Sequence, residues 1–301
     1  MFFSIRNKIN KKWFDWRVRK IFETRPAKCD PASNLIILSQ LYHPDMAMFM
    51  VAAKSLSKYV TPKQFVIVDD GLTETDRVIL KRHFEVIDFI NTNQVDTGSC
   101  PRRGTWERLV SIADLNADHY VVQLDSDTLT LDKPTEVLAC IKDSRSFALG
   151  TPGGQSIIST AETSKIAAGW NADHVQVLAE QSMDKLPPGL GNLYVHGCSG
   201  FAGFAPGSIT RAGIEAFSKA MTELLGEKKW AEWGSEQVTS NYIVANSPQA
   251  VILPVATYPF WKTGVDASKA KFVHFFGTHR FEGGEYIRSS NRMTSTLLGK
   301  D

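Results

Sequence analysis

Apolar and polar residues along the chain fall into blocks that switch between two periods. The run "NLIILSQL" (34–41) is continuous and of strand length. "PDMAMFMVAAKSLSKY" (44–59) follows with helical spacing, its Pro44 and Asp45 suited to a first turn. "QFVIVDDG" (64–71) predicts a second strand broken at Asp69, Asp70 and Gly71, "TETDRVILKRHF" (73–84) a second helix, and "EVIDFI" (85–90) a third strand. "TWERLVSIADL" (105–115) then reads as a helix leading into the strand that opens "HYVVQLDSDTLTLDKP" (119–134). Strands alternating with helices predict an α/β fold, a largely parallel sheet covered on both faces. Ligands of such sheets bind beyond the carboxyl ends of the strands, where Asp69, Asp70, Asp125 and Asp127 would lie.

The first 28 residues follow a different pattern and are read as a separate arm, with 29–301 as one domain. As a helix, Phe2, Ile5, Ile9, Trp13 and Trp16 form one apolar stripe, and Phe14, Val18 and Ile21 an adjoining one. Nine Lys/Arg face only Asp15 and Glu23 here, a net +7 within a whole-chain charge of +2. Residues 2–22 therefore predict a helix lying on an anionic membrane surface; the competing expectation is a basic helix docked on its own domain. No signal-peptide core and no apolar run of membrane-spanning length is present.

With the arm's charge set aside, the rest of the chain is mildly acidic, which argues against nucleic acid as a partner. Cys29, Cys100, Cys140 and Cys198 are scattered, with no CxxC pair and no metal-ligand spacing, a usage that fits the reducing cytoplasm.

The chemistry concentrates in two places. In an extended chain Asp125 and Asp127 point the same way and would converge on one hard cation, although a turn that caps the next element would use the same residues. Near the carboxyl end, "KFVHFFGTHRF" (271–281) delivers His274, Gly277 and Arg280. An imidazole is ordinarily structural or exposed, but here a glycine that permits close backbone approach is followed by an arginine suited to phosphate. Imidazole and carboxylates together suit Mn²⁺ better than Mg²⁺.

On these residues the chain resembles the GT-A fold glycosyltransferases, and within them glycosyltransferase family 8, the group of glycogenin and the bacterial lipopolysaccharide galactosyltransferases. The resemblance runs over residues 34–140 and resumes at "GSEQ" (234–237) and "HFFGTHRF" (274–281). It implies a single Rossmann-like, mixed and mostly parallel sheet flanked by helices. It further implies metal and nucleotide binding at Asp125 and Asp127, a third metal ligand in His274, and diphosphate contacts from Gly277 and Arg280. Arg108 of "WERL" would contact the sugar donor, and Glu236 and Gln237 would line the sugar pocket. The implied activity is metal-dependent transfer of a sugar from a nucleotide-sugar, a UDP-sugar, to a hydroxyl of a glycan or glycolipid in surface glycan synthesis, with retention. The departing diphosphate would take the acceptor's proton, so no dedicated base is required.

Two departures from the family pattern stand out. The stretch after the first strand reads "SQLYHP", leaving Tyr42 to stack on the base and Asp70 to reach the ribose, with a turn as the alternative for Asp70. Phe281-Glu282 replaces the Pro-Trp that commonly ends the histidine motif. Residues 151–195 are expected to be an acceptor-side insertion or a mere surface excursion. Trp230, Trp233 and Trp261 are read as core fillers before sugar platforms. "LDSDTLT" also resembles the first motif of haloacid-dehalogenase phosphatases, with Leu129 out of pattern, and a non-catalytic nucleotide-sugar-binding module is the third reading.

Overall fold

The computed structural model describes residues 2–299, with side chains from residue 7 onward. The side chains of Phe2 and Ile5, placed above on the first stripe of the arm, therefore lie outside the described residues. The strands in chain order are β1 (Leu35–Leu41), β2 (Gln64–Asp69), β3 (Ile87–Asn91), β4 (Tyr120–Leu124), β5 (Thr128–Thr130) and β6 (Phe147–Leu149). They continue as β7 (Ile158–Ser159), β8 (Leu193–Tyr194), β9 (Cys198–Phe204), β10 (Val251–Leu253) and β11 (Phe272–His274). Seven of them form a mixed, mostly parallel sheet in the order β10-β6-β9-β4-β1-β2-β3. Helices Met46–Leu56, Glu74–His83 and Trp106–Asn116 connect β1 to β2, β2 to β3 and β3 to β4, as the alternating pattern predicts.

The chain divides into two compact units. One comprises residues 1–89, 124–135 and 255–301. In it β1 and β2 pair in parallel, with Ile37 opposite Phe65, and the helix Met46–Leu56 is buried along its whole length. Phe65 and Phe49 close on Phe84 with ring centroids 4.5 and 5.5 Å away. Pro44 and Asp45 form a 3₁₀ turn, His43–Asp45, and the α-helix begins only at Met46. The amino-terminal helix, Phe2–Val18, packs on the helix Glu285–Leu297, with the Phe14 ring 4.6 Å from that of Tyr286. Phe14, Val18 and Ile21 are fully buried, whereas Ile9, Trp13 and Trp16 stay 50–61% exposed. The two apolar stripes thus separate, one docking the helix and one facing solvent. No described helix is long and apolar enough to cross a membrane.

The other unit comprises residues 90–123 and 136–254. Here β6 pairs in parallel with β10 and antiparallel with β9. The helices Arg211–Leu225 and Ser235–Ala245 meet through Phe217 and Tyr242, stacked at 4.0 Å. The segment 151–195 is folded and packed. Its helices Thr160–Ala167 and Val175–Gln181 bury Ala167, Val175 and Ala179, the 3₁₀ turn Met183–Lys185 buries Met183, and β7 pairs with β8.

Candidate active site

The Asp125–Asp127 pair is delivered by a turn. Strand β4 ends at Leu124, and a turn at residues 126–127 precedes β5, with the Thr128 hydroxyl donating to the Asp125 carbonyl at 2.8 Å. The carboxylates therefore converge because the chain turns, and not through the alternation of an extended strand on which the expectation rested. The turn reading and the convergence are both realised by the same three residues.

Strand β11 brings the third group. It pairs antiparallel with β5, setting His274 opposite Thr128, and the Phe275 amide donates to the Asp127 carbonyl at 2.8 Å. His274 Nε2 then lies 3.2 Å from Asp127 Oδ1 and 3.9 Å from Asp125 Oδ2. One ligand atom from each of Asp125, Asp127 and His274 falls within 4.8 Å of the others. Beyond β11 the chain enters a short 3₁₀ turn at Gly277, whose φ of +55° is the left-handed region that glycine tolerates. Nothing lies within 4 Å of where its Cβ would sit, so backbone conformation selects glycine here. That turn carries Arg280 back to Asp127, NH2 to Oδ2 at 2.6 Å, while its Nε donates to the Phe275 carbonyl at 3.1 Å.

Burial alone would raise the Asp127 carboxyl, but His274 and Arg280 outweigh it and hold the group at about 2. Asp127 is therefore an anion with one oxygen on Arg280 and the other toward His274. Two carboxylates and an imidazole nitrogen in this space form a donor set of the right number and hardness for Mn²⁺ or Mg²⁺.

Tyr42 stands 47% exposed at the end of β1. Burial, then Asp45, push its phenol up while Arg280 pulls it back, so the ring feels the same cluster of charges. The two acidic residues that end β2 differ. Asp69 is buried, takes two N–H bonds from Arg77 at 2.8 and 2.6 Å, and accepts from the Gly71 and Leu72 amides. Asp70 faces outward and accepts from Gln40 Nε2 at 3.1 Å. Sequence reasoning missed Asp45. Read as a helix-start residue, it makes no side-chain cap; its Oδ2 accepts from Ser126 Oγ at 3.4 Å, and burial raises it to about 6 against the pull of Arg280 and Lys11. A buried acid that does not cap was visible in the sequence only as the Pro44-Asp45 dipeptide.

Of the other expected residues, Arg108, Glu236, Gln237, Trp230 and Trp233 lie in the second unit and Trp261 in the first. Arg108 is 5% exposed and Glu236 2%, and Arg108 NH2 lies 3.3 Å from Glu236 Oε2, so Arg108 is no solvated surface charge. Glu236 Oε2 also accepts from Thr105 Oγ1 at 3.0 Å and Ser199 Oγ at 3.4 Å. Thr105 takes a φ of +74° as it enters the helix Trp106–Asn116. Gln237 Oε1 accepts from the Ser199 amide at 3.3 Å, and its Nε2 donates to Gln176 Oε1 at 3.0 Å. Trp230 and Trp261 are buried, each with its indole N–H satisfied, by Ser218 and the Glu282 carbonyl; Trp233 is 70% exposed.

No protein-family model matches the chain, and no curated protein matches it. Among solved structures it is similar to the bifunctional glycosyltransferase WbbM in its apo form, over 91% of this chain at 14% identity and a TM-score of 0.56. It spans about half, 53%, of the WbbM chain. It also overlaps the galactosyltransferase LgtC, solved with donor and acceptor sugar analogs, over 88% of this chain and 100% of that one at 13% identity and a TM-score of 0.46. GlyE of Streptococcus pneumoniae TIGR4, a glycosyltransferase, aligns over 89% of this chain and 63% of its own at 12% identity and a TM-score of 0.47. The likeness to WbbM is one of fold, and with the strand order above it identifies the architecture of this chain as that of the GT-A glycosyltransferases.

Proposed function

We propose that the chain transfers a sugar from a nucleoside-diphosphate donor, a UDP-sugar, to a hydroxyl of a glycan or glycolipid, with a divalent metal and with retention at the anomeric carbon. The observation that carries this reading is the convergence of Asp125, Asp127 and His274 beside Arg280 within a GT-A fold. When bound, Mn²⁺ in that donor set would neutralise the charge that grows on the leaving diphosphate. Arg280 keeps Asp127 ionised and fixed, and presents a guanidinium suited to phosphate oxygens. Tyr42 offers a half-exposed ring to the base, and Asp70 an outward carboxylate to the ribose. Arg108, Glu236 and Gln237 are assigned to the sugar. The acceptor hydroxyl attacks on the face the diphosphate leaves, and a diphosphate oxygen takes its proton.

The phosphatase alternative needs Asp127 as a proton donor. Both Asp127 oxygens are engaged, Oδ2 by Arg280 and Oδ1 by His274, and these cations favour its ionised form, which counts against that reading.

We further propose that the enzyme works at the anionic inner face of a membrane through the amino-terminal helix. Support comes from the outward stripe of Ile9, Trp13 and Trp16 among basic residues, with Arg19 stacked on Trp16 at 4.7 Å.

The test is a screen of nucleotide sugars with and without Mn²⁺, reading thermal stabilisation and slow donor hydrolysis. A donor at 100 times its Kd adds about 2.7 kcal/mol. Absence of any metal-dependent response across the UDP-, GDP- and ADP-sugars would sink the proposal.

A further inference from the structure

Within the second unit, the helix Val175–Gln181 carries Glu180 into the interior with no exposed surface. A carboxylate taken fully out of water costs several kcal/mol unless donors surround it. Three do: the Tyr194 hydroxyl at 2.8 Å, Gln176 Nε2 at 3.0 Å, and His196 Nδ1 at 2.8 and 2.9 Å to the two oxygens. These contacts orient the imidazole, Nδ1 inward and Nε2 outward. With Nδ1–H donating to Glu180, the neutral ring must present Nε2 as an acceptor. His196 is 30% exposed, and among the described residues no hydrogen-bond partner meets its Nε2.

The surroundings of His196 are built to hold it. Thr151 Oγ1 donates to the His196 carbonyl at 2.6 Å. A Cβ on Gly154 would come within 2.2 Å of that same carbonyl oxygen, so only glycine lets the "TPGG" loop close there. Trp170 stands edge-on to the imidazole at 5.2 Å. Gln176 joins Glu180 to Gln237, and Trp233, 70% exposed, stands edge-on to His174 at 6.5 Å, two residues before Gln176. An oriented acceptor nitrogen beside a partly buried indole, with an exposed indole on the adjoining His174, suits a sugar ring, hydroxyls on one side and C–H faces on the other.

We propose that His196, oriented by Glu180, with Trp170 and Trp233, forms the acceptor subsite, in which a hydroxyl of a hexose donates to His196 Nε2 and the ring lies against indole. The inference deepens the glycosyltransferase reading and rests on it for the word acceptor. Glu180 is a positioning residue, and His196 and Trp233 touch the sugar.

The experiment uses the intact protein and methyl glycosides of glucose, galactose, mannose and N-acetylglucosamine, followed by saturation-transfer NMR and tryptophan fluorescence. At least one glycoside binds with a Kd in the millimolar range, and His196→Ala and Trp233→Ala each weaken it about tenfold or more, the worth of one good hydrogen bond or ring contact. Trp233→Ala alters an exposed residue and leaves folding out of question. In Glu180→Gln, the ¹⁵N shifts of His196 move toward the Nε2–H tautomer, which a purely structural Glu180 would not cause. No glycoside binding to the wild-type protein, or unchanged affinity in both His196→Ala and Trp233→Ala, overturns the subsite. A parallel titration of the wild type with UDP and Mn²⁺ separates the two readings: glycoside binding without UDP binding overturns the donor assignment alone, and the reverse overturns the subsite alone.

Discussion

Arg108 and Glu236 are buried against each other, and replacing Arg108 by methionine removes the cation while keeping most of the side-chain volume. At 3.3 Å and an effective dielectric near 20, the lost attraction is about 5 kcal/mol. Thr105 Oγ1 and Ser199 Oγ remain on the Glu236 carboxylate, at 3.0 and 3.4 Å, so it is not left bare, and the relieved desolvation of the guanidinium offsets part of that loss. Arg108→Met should therefore cost about 3 kcal/mol, within the range seen when one partner of a buried pair is deleted. The double variant Arg108→Met/Glu236→Gln removes both charges and should recover to within about 1 kcal/mol of wild type, because the desolvation of each ion is relieved together with their attraction. Urea unfolding of the three variants measures the cycle. A loss below about 1 kcal/mol in Arg108→Met, or a double variant as unstable as the sum of the singles, refutes the pairing argument. Activity then separates structure from chemistry: if the stable double variant still fails to hydrolyse donor, the two residues serve the sugar and not only the fold.

Asp127→Asn should lose the Mn²⁺-dependent part of donor stabilisation, read by thermal shift, and full retention of it would remove Asp127 from the metal set. Lys54 is 3% exposed, and burial lowers it from 10.5 to about 8 although it donates to the Arg25 carbonyl, so at pH 7 its charge costs about 3 kcal/mol. Between pH 8 and 10.5 the unfolded chain holds more protons at this site, so wild-type stability rises with pH there; Lys54→Met should be about 2 kcal/mol more stable at pH 7, after losing one hydrogen bond, with the advantage fading above pH 8 in denaturant titrations. A variant less stable than wild type at pH 7 would contradict this. Replacing Trp13 and Trp16 together by serine should weaken binding to phosphatidylserine vesicles about tenfold or more, measured by co-sedimentation, and equal binding would return the arm to a purely docked role. Proton NMR of the product linkage should show an α-linkage from an α-linked donor, with partial activity in Glu236→Gln; a β-linkage with an inactive Glu236→Gln would make Glu236 the base of an inverting enzyme.

The strands and helices from 34 to 124 were legible because apolar period and turn residues agree there, and β1, β2 and the helices after them start and stop within a few residues of the expected positions. The helical stripes of the arm were legible as well, but not which of them docks. Phe14 finds Tyr286, and that choice depends on a residue 272 positions away. The Asp125–Asp127 motif was found through an argument about extended chains that the turn after Leu124 replaces. Motif spacing survives such an error because a short segment has few ways to place two carboxylates, and a turn is one of them.

The proposed acceptor subsite was illegible for the opposite reason. Glu180, Tyr194 and His196 lie 14 and 16 residues apart, and Gln237 is 61 residues from Gln176, so no periodicity or motif joins them. In the sequence Glu180 is one more acid in a helix, indistinguishable from a solvated one. What converts it into the centre of a network is its complete burial, a tertiary fact. Once it is buried, electrostatics leaves little freedom: the carboxylate must gather donors, the gathered imidazole must show its other nitrogen, and that nitrogen must find either water or a ligand hydroxyl. Asp125–Asp127 and His274–Arg280 are each short motifs that a sequence can show, although they lie about 150 residues apart, whereas the Glu180 network is specified by the cost of hiding one charge.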